Sequence, residues 1–278
     1  MPAAYFPDRA LIKVSGADAS GFLHNLITTD VEALAPGVAA PGSLLTPQGK
    51  LLFDFLIARA EDGFRLETDA SQSAGLLKRL MLYKLRAKVD IAQEPQSGVT
   101  VFWGDDLKAE GLQDQRFQSA GIELRRVAGH HGGGEEAAYE ALRIGAGLVV
   151  SGQDFAFEDA FPHDVMLDLT GGLSFKKGCY VGQEVVSRMH HRKSARRRPV
   201  IVTASAELPA HGTTLTAAGK PVGTLTSTAG RSGLAIVRID RVGEALATDV
   251  PVLAGEMPVD LALPAWSGLS FPAAAEDA

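Results

Sequence analysis

The chain has 278 residues, 46% of them hydrophobic and 22% charged, with 30 glycines and 14 prolines. That is the make-up of an ordinary globular protein, not of a fibrous or low-complexity one. No apolar run reaches the roughly 18–20 residues that cross a bilayer as a helix, and the richest, residues 51–58, is interrupted by Asp54. The single cysteine, Cys179, excludes an internal disulfide framework, and the opening MPAAYFPDR has no basic region leading into an apolar stretch. A reducing, cytoplasmic setting is therefore expected.

The net charge of −6 argues against indiscriminate coating of nucleic acid, yet it is unevenly spread. Between Lys176 and Arg198 eight Lys and Arg residues face one acid, Glu184, so that segment carries +7 and the rest of the chain −13. A positive strip on an acidic body points either to a specific anionic partner or to a solvated basic linker.

In chain order, residues 10–14 read as a short strand, after which Ser15 or Asp18 caps a helix whose Phe22, Leu23, Leu26 and Ile27 share a face. Residues 42–46, 51–60 and 64–68 read as strands separated by the turns Pro47-Gln48-Gly49 and Glu61-Asp62-Gly63. Residues 71–85 form a helix, its apolar stripe of Leu76, Leu77, Leu80, Met81, Tyr83 and Leu85 flanked by basic residues. Strands resume at 88–92, 99–103 and 122–126. The stretch His130-His131-Gly132-Gly133-Gly134 reads as a flexible surface loop, and no metal site is expected. Residues 135–144 are helical and 155–172 irregular. Beyond the basic strip, short runs at 200–204, 213–216, 222–227, 234–239, 250–253 and 259–263 have the spacing of a small antiparallel barrel or sandwich. Residues 273–278 read as a disordered tail. The expected organisation is an α+β body, residues 1–195, followed by a small β-domain, residues 196–278.

The densest chemistry lies in Lys176-Lys177-Gly178-Cys179-Tyr180-Val181-Gly182-Gln183-Glu184. Val185 and Met189, like Glu184 and Arg188, are four apart, so a helix begins near Gly182 and Cys179 lies just before it. A positive helix end and neighbouring ammonium groups favour a thiolate, hence a reactive thiol or a soft-metal ligand. The alternative is a small buried hydrophobe. Gly178 and Gly182 allow close approach of another backbone or a flat ligand. No His with Asn or Asp completes a hydrolase constellation. One Cys cannot chelate a cluster that needs about four ligands, although ligation shared between chains remains open.

The run KKGCYVGQEVVSR is similar to the signature of the YgfZ family of folate-binding proteins, which is related to the mitochondrial assembly factors for [4Fe–4S] proteins. The family pattern K-G-C-[FY]-x-G-Q-E is matched by Lys177, Gly178, Cys179, Tyr180, Gly182, Gln183 and Glu184. FLHNLITTDV (22–31), TPQGKLLFDFLI (46–57), LRIGAGL (142–148), GGLSF (171–175), VGTLTS (222–227) and LAIVR (234–238) also look like family landmarks. More distantly, the same landmarks resemble the glycine-cleavage T protein, a tetrahydrofolate-dependent aminomethyltransferase.

The resemblance implies an α+β fold: a T protein-like ring of α+β subdomains around a central, folate-sized hole, with a small C-terminal β-barrel. It implies tetrahydrofolate, with or without a polyglutamate tail, as cofactor. It implies an accessory role in assembly or repair of iron–sulfur clusters, indirectly supporting tRNA-modifying enzymes that carry them. In that reading Cys179 is the functional thiol, assisted by Lys177. Folate contacts fall to Asp54, Gly178, Tyr180, Gly182, Gln183, Glu184 and Arg188, and a polyglutamate or acidic partner protein to Arg188, Arg192, Lys193 and Arg196–Arg198. Aminomethyl transfer is the enzymatic alternative, but only Asp54 remains of the T protein's pair of acids, whose other position holds Phe53. A tRNA-binding module is a third class, disfavoured because no aromatic residues are interleaved with the cations. Asp54 itself reads either as a pterin contact or as a solvent-facing strand acid. Arg143 either reaches an anion or pairs with an acid, and Met166 stands where many family members have Asn.

Overall fold

Alternating apolar residues in the N-terminal half build nine strands, and their two faces do different work. The computed structural model describes residues 1–95, 98–104, 107 and 109–272. Packing divides the chain into two units, Met1–Glu136 with Leu167–Ser187, and Ala137–Met166 with Arg188–Ala278.

In the first unit the elements are β1 (Ala3–Phe6), β2 (Arg9–Ser15), α1 (Ala19–His24), β3 (Val38–Leu45), β4 (Leu51–Ala60), β5 (Gly63–Asp69), α2 (Ala70–Lys84), β6 (Asp90–Gln93), β7 (Val99–Trp103), β8 (Leu112–Asp114), α3 (Gln115–Ser119) and β9 (Leu124–Ala128). The sheet order is β1-β7-β9-β8-β3-β4-β5-β2-β6. On one face Ile12 and Val14 of β2, Phe55 and Ile57 of β4, and Phe64 and Leu66 of β5 form the core with Leu23 of α1 and Leu76 and Leu80 of α2. Asp69 caps α2, its carboxylate accepting from Ser71 N at 2.9 Å. Asp18 occupies the cap position of α1 without a capping bond; its carboxylate accepts instead from Lys88 N at 2.7 Å.

The other face carries charge. Leu56 and Ala58 of β4, Arg65 and Glu67 of β5, and Arg126 of β9 line a cavity of about 270 Å³. Arg126 Nε donates to Glu67 at 2.8 Å, Arg9 Nε donates to the same carboxylate at 2.8 Å, and Arg126 Nη1 donates to Asp114 at 3.2 Å. Burial raises the Glu67 pKa, but Arg126 and Arg9 outweigh it and hold the carboxyl at about 2, below its usual 4.5. A carboxyl lowered by folding stabilises above its unfolded pKa and loses that contribution as pH falls. Acid unfolding should therefore remove about 3 kcal/mol of stability between pH 4.5 and 2, and Glu67→Gln should flatten that part of a stability-against-pH curve.

The second unit holds α4 (Glu136–Ala146), whose first residue belongs to the first unit, a 3₁₀ turn (Pro162–Val165), the end of α5 (Gln183–His191), then β10 (Arg197–Thr203), β11 (Thr214–Ala217), β12 (Lys220–Ala229), β13 (Ser232–Arg238), α6 (Ile239–Ala247), β14 (Val252–Ala254) and β15 (Met257–Ala262). The strands close as a barrel in the order β10-β13-β12-β11-β14-β15, sealed by β10 against β15. Val200, Val202, Leu215, Leu225, Ala235 and Val237 fill it. The architecture is thus α+β with a closed six-stranded β-barrel.

The expected boundary at 195 falls just before β10, but residues 137–166 belong to the same unit as the barrel. The reason is a buried network. Arg143, 1% exposed, donates through Nη1 to Asp154 at 2.6 Å and to Leu148 O at 2.7 Å, and through Nη2 to Glu140 at 2.7 Å and Ser227 at 3.0 Å. Asp154 also accepts from Thr226 at 2.7 Å and from Ser227. Of the two roles open to Arg143, the structure shows pairing with acids. The tail expectation for 273–278 lies outside the described residues.

Candidate functional site

The signature KGCYVGQE lies on a loop that leads into α5, and each buried residue in it has a holding role. Thr28 Oγ1 donates to Gly172 O at 2.6 Å, Ser174 N donates to Thr28 O at 3.0 Å, and Ser174 Oγ accepts from Lys177 N at 3.2 Å. The Lys177 side chain then turns inward, 9% exposed, and its ammonium donates to His24 O, to Ile27 O at 2.6 Å and to Thr29 O at 3.1 Å. Three carbonyls are the full complement for an ammonium with three donors. Burial pushes its pKa down from 10.5 to about 8, opposed in part by Asp30 and Glu32.

Lys177 Nζ also lies 5.1 Å from the centroid of the Tyr180 ring, within cation–π range. Tyr180 is 7% exposed, its hydroxyl has no hydrogen-bond partner among the described residues, and burial raises its pKa to about 12. Between these two buried side chains Gly178 and Cys179 are exposed. The loop is a two-residue tip pinned at both ends, with the thiol on it.

Gly182 has φ +79°, and a Cβ there would lie 2.5 Å from Thr46 O and 3.0 Å from the Leu45 side chain, so only glycine fits. That bears out the expected close approach at Gly182. At Gly178 a Cβ would meet nothing within 4 Å, so no close backbone approach is made there. Gln183 N donates to Tyr180 O at 3.2 Å and its side-chain amide to Gly178 O at 3.4 Å, folding the loop back on itself as α5 begins. Helix α5 starts at Gln183, one residue from the expected point, and Cys179 precedes it by four.

The expectation that the Lys177 ammonium serves the thiol meets a different geometry, because its three donors are taken by carbonyls. Lys177 positions the tip. Among the described residues no group of three or more His, Cys, Asp or Glu is arranged to hold a metal ion. The tip offers one sulfur ligand, so a metal centre bound to it would draw its other ligands from elsewhere.

The other expected site residues scatter. Asp54, half-buried on β4, accepts from Gln72 Nε2 at 3.2 Å, and it shares a sheet face with Leu56 and Ala58 of the cavity. Glu184 and Arg188 are exposed on α5. Within the basic strip Arg188, Arg192, Lys193 and Arg196 are exposed, whereas Arg198 is buried and donates to His163 O at 2.6 Å, which removes it from any anion-binding surface.

The residues present do not form a folate cradle at the motif: Tyr180 packs on Lys177, Gly182 lies against Thr46 and Leu45, and Gln183 bonds Gly178 O. The 270 Å³ cavity falls below the roughly 300–1,000 Å³ of sites that enclose drug-sized ligands, whereas a second cavity of about 820 Å³, lined by Thr29, Asp30, Gln115, Phe175 and Lys176, lies within that range. Two sets of residues escaped the sequence reading. One is the carbonyl cage at 24–29, inside the landmark FLHNLITTDV. The other is the Glu67–Arg126 pair, whose signal was charge recurring at alternate positions in apolar strands.

A family model for the C-terminal β-barrel domain of CAF17 matches residues 196–269. The human iron–sulfur cluster assembly factor IBA57, mitochondrial, is 30% identical over 272 residues, covering 84% of this chain and 76% of that protein. The mouse protein of the same name is 28% identical over 274 residues with the same coverage. The IBA57 homolog of Coccidioides immitis is 32% identical over 231 residues, 69% of this chain and 54% of that protein. The chain spans about half the length of such fungal relatives.

Among solved structures, the glycine cleavage system aminomethyltransferase T from Bartonella henselae superposes with a TM-score of 0.72 at 18% identity, over 95% of this chain and 86% of that one. That likeness shows the expected T protein-like fold and carries no chemistry. The names correct the cytoplasmic expectation, since these IBA57 relatives are called mitochondrial. A lone cysteine reports the absence of disulfides and cannot separate one reducing compartment from another. The resemblance to YgfZ narrows to the assembly factors related to it: the chain belongs to the CAF17/IBA57 family, whose members matched here are named iron–sulfur cluster assembly factors.

Proposed function

We propose that the chain is a non-enzymatic factor for assembly or repair of iron–sulfur clusters, and that Cys179 is its working group. The supporting observation is the exposed thiol on a tip fixed by the buried Lys177 and Tyr180. A thiol so displayed offers Sγ to iron, its proton released to solvent as the iron–sulfur bond forms, while partner assembly proteins or client enzymes supply the remaining ligands. Exposed Arg188, Arg192, Lys193 and Arg196 suit an acidic partner surface. Support of tRNA-modifying enzymes is, in this reading, an indirect result of their cluster supply. The test is complementation: in cells lacking the factor, Cys179→Ser should fold normally and fail to restore iron–sulfur enzyme activity. Full restoration by that variant would sink the thiol role.

A folate ligand is the second reading, favoured by Asp54, a half-buried carboxylate with the acceptor chemistry a pterin amino group requires. Calorimetric titration with tetrahydrofolate should show heat that Asp54→Asn abolishes, and absence of heat with the unmodified chain removes this reading.

A further inference from the structure

Helix α2 was expected to bury an apolar stripe that included Met81 and Leu85. Leu76 and Leu80 do enter the core, but the opposite side of the helix ends in large aliphatic side chains turned to water. Met81 is 49%, Leu82 65% and Leu85 89% exposed. Positions 78, 81, 82 and 85 follow the i, i+3, i+4, i+7 spacing of one helix face. Leu85, the residue after the helix, has φ +44°, a left-handed conformation unfavourable for a bulky side chain, and it is held there in the open.

The surroundings are as one-sided in charge. Residues 70–89 contain Lys78, Arg79, Lys84, Arg86 and Lys88 and no acid; Asp69 and Asp90 flank the segment, and Asp18 lies against the backbone at Lys88. Lys78, Arg86 and Lys88 are exposed alongside the aliphatic residues.

We propose that the C-terminal end of α2 is a peripheral docking surface for an anionic lipid bilayer, in which Met81, Leu82 and Leu85 enter the headgroup–acyl boundary while Lys78, Arg86 and Lys88 meet lipid phosphates. Charge complementarity selects the occupant. A second copy of this end would bring cations against cations. A protein partner is the weaker match, because protein interfaces are depleted in lysine and their energetic centres are poor in leucine. Aliphatic side chains ringed by cations are the composition of interfacial anchors. No helix among the described residues is long and apolar enough to span a bilayer, so the contact is with the surface. The acidic remainder of the chain does not forbid it, since charges beyond roughly 8–10 Å are screened at physiological salt.

The test uses the full chain and sedimentation with vesicles of phosphatidylcholine alone or with about 30% phosphatidylserine. The expected result is binding to the anionic vesicles only, weakened about tenfold or more when salt rises from about 0.1 to about 0.5 M. The double variant Leu82→Ser with Leu85→Ser should lose about tenfold in binding with its melting temperature unchanged. Three outcomes overturn the proposal: no preference for anionic vesicles, undiminished binding by the double variant, or binding to soluble polyglutamate without binding to vesicles, which would mark an acidic protein surface instead.

Discussion

Replacing Lys177 with methionine is expected to destabilise the chain by about 2–4 kcal/mol and to reduce function while leaving Cys179 in place. Two effects oppose each other. Hydrogen bonds from a charged donor contribute roughly 1.5–3 kcal/mol each, and Lys177 makes three, to His24, Ile27 and Thr29. Against this stands the cost of burying the ammonium, about 3 kcal/mol for a pKa moved from 10.5 to about 8. For the charge itself burial wins, as the lowered pKa requires; the loss with methionine comes from three carbonyls left without a donor, at roughly 1–3 kcal/mol each.

The lysine has its own signature in pH. Its folded pKa lies below its unfolded one, so between pH 8 and 10.5 the unfolded chain binds the extra proton and the group's contribution to stability rises with pH. A lysine in a surface ion pair does the reverse. Urea unfolding at pH 7, 8.5 and 10 on the unmodified chain and Lys177→Met should show this rising component only in the former. The same slope in both would remove the caged ammonium from the account.

Arg143→Ala should cost about 3–5 kcal/mol, because it strands the Asp154 carboxylate, which has no solvent exposure, and withdraws donors from Leu148 O and Ser227. Ser227, one of the residues that lose their partner, sits on β12, so loss of barrel structure should accompany the drop. A denaturant midpoint shifted by less than about 1 kcal/mol equivalent would mean that Thr226, Ser227 and the Val150 amide satisfy Asp154 unaided.

These networks explain which parts of the molecule the sequence disclosed. Strands at 51–60 and 99–103 appear with the expected bounds, because period-two patterning and adjacent turn residues mark them locally. Strand β1 was not anticipated; four residues between Pro2 and Pro7 carry too little pattern. Helix α6 was missed too, its pattern broken by Gly243. A Cβ at that glycine would fall 2.0 Å from Pro272 O, so packing imposes it and helix propensity does not.

The chemistry divides in the same way. The motif was legible as a string of residue types, but Lys177 reaches carbonyls some 150 residues earlier in the chain, a relation no local pattern encodes. The landmarks LRIGAGL and VGTLTS proved to be two halves of the Arg143 network. Met166 has φ +58°, a left-handed position that Asn tolerates better than most residues, so the Asn expected at this position would have a backbone reason.

The proposed function depends on the outward-facing sulfur of Cys179. Alkylating the native chain with a maleimide, then supplying the product to an iron–sulfur enzyme awaiting its cluster, tests it most directly. The expected result is modification of one thiol in folded protein, an unchanged melting temperature, and loss of enzyme activation. A thiol that reacts only after denaturant is added, or an alkylated chain that still activates the enzyme, would contradict it.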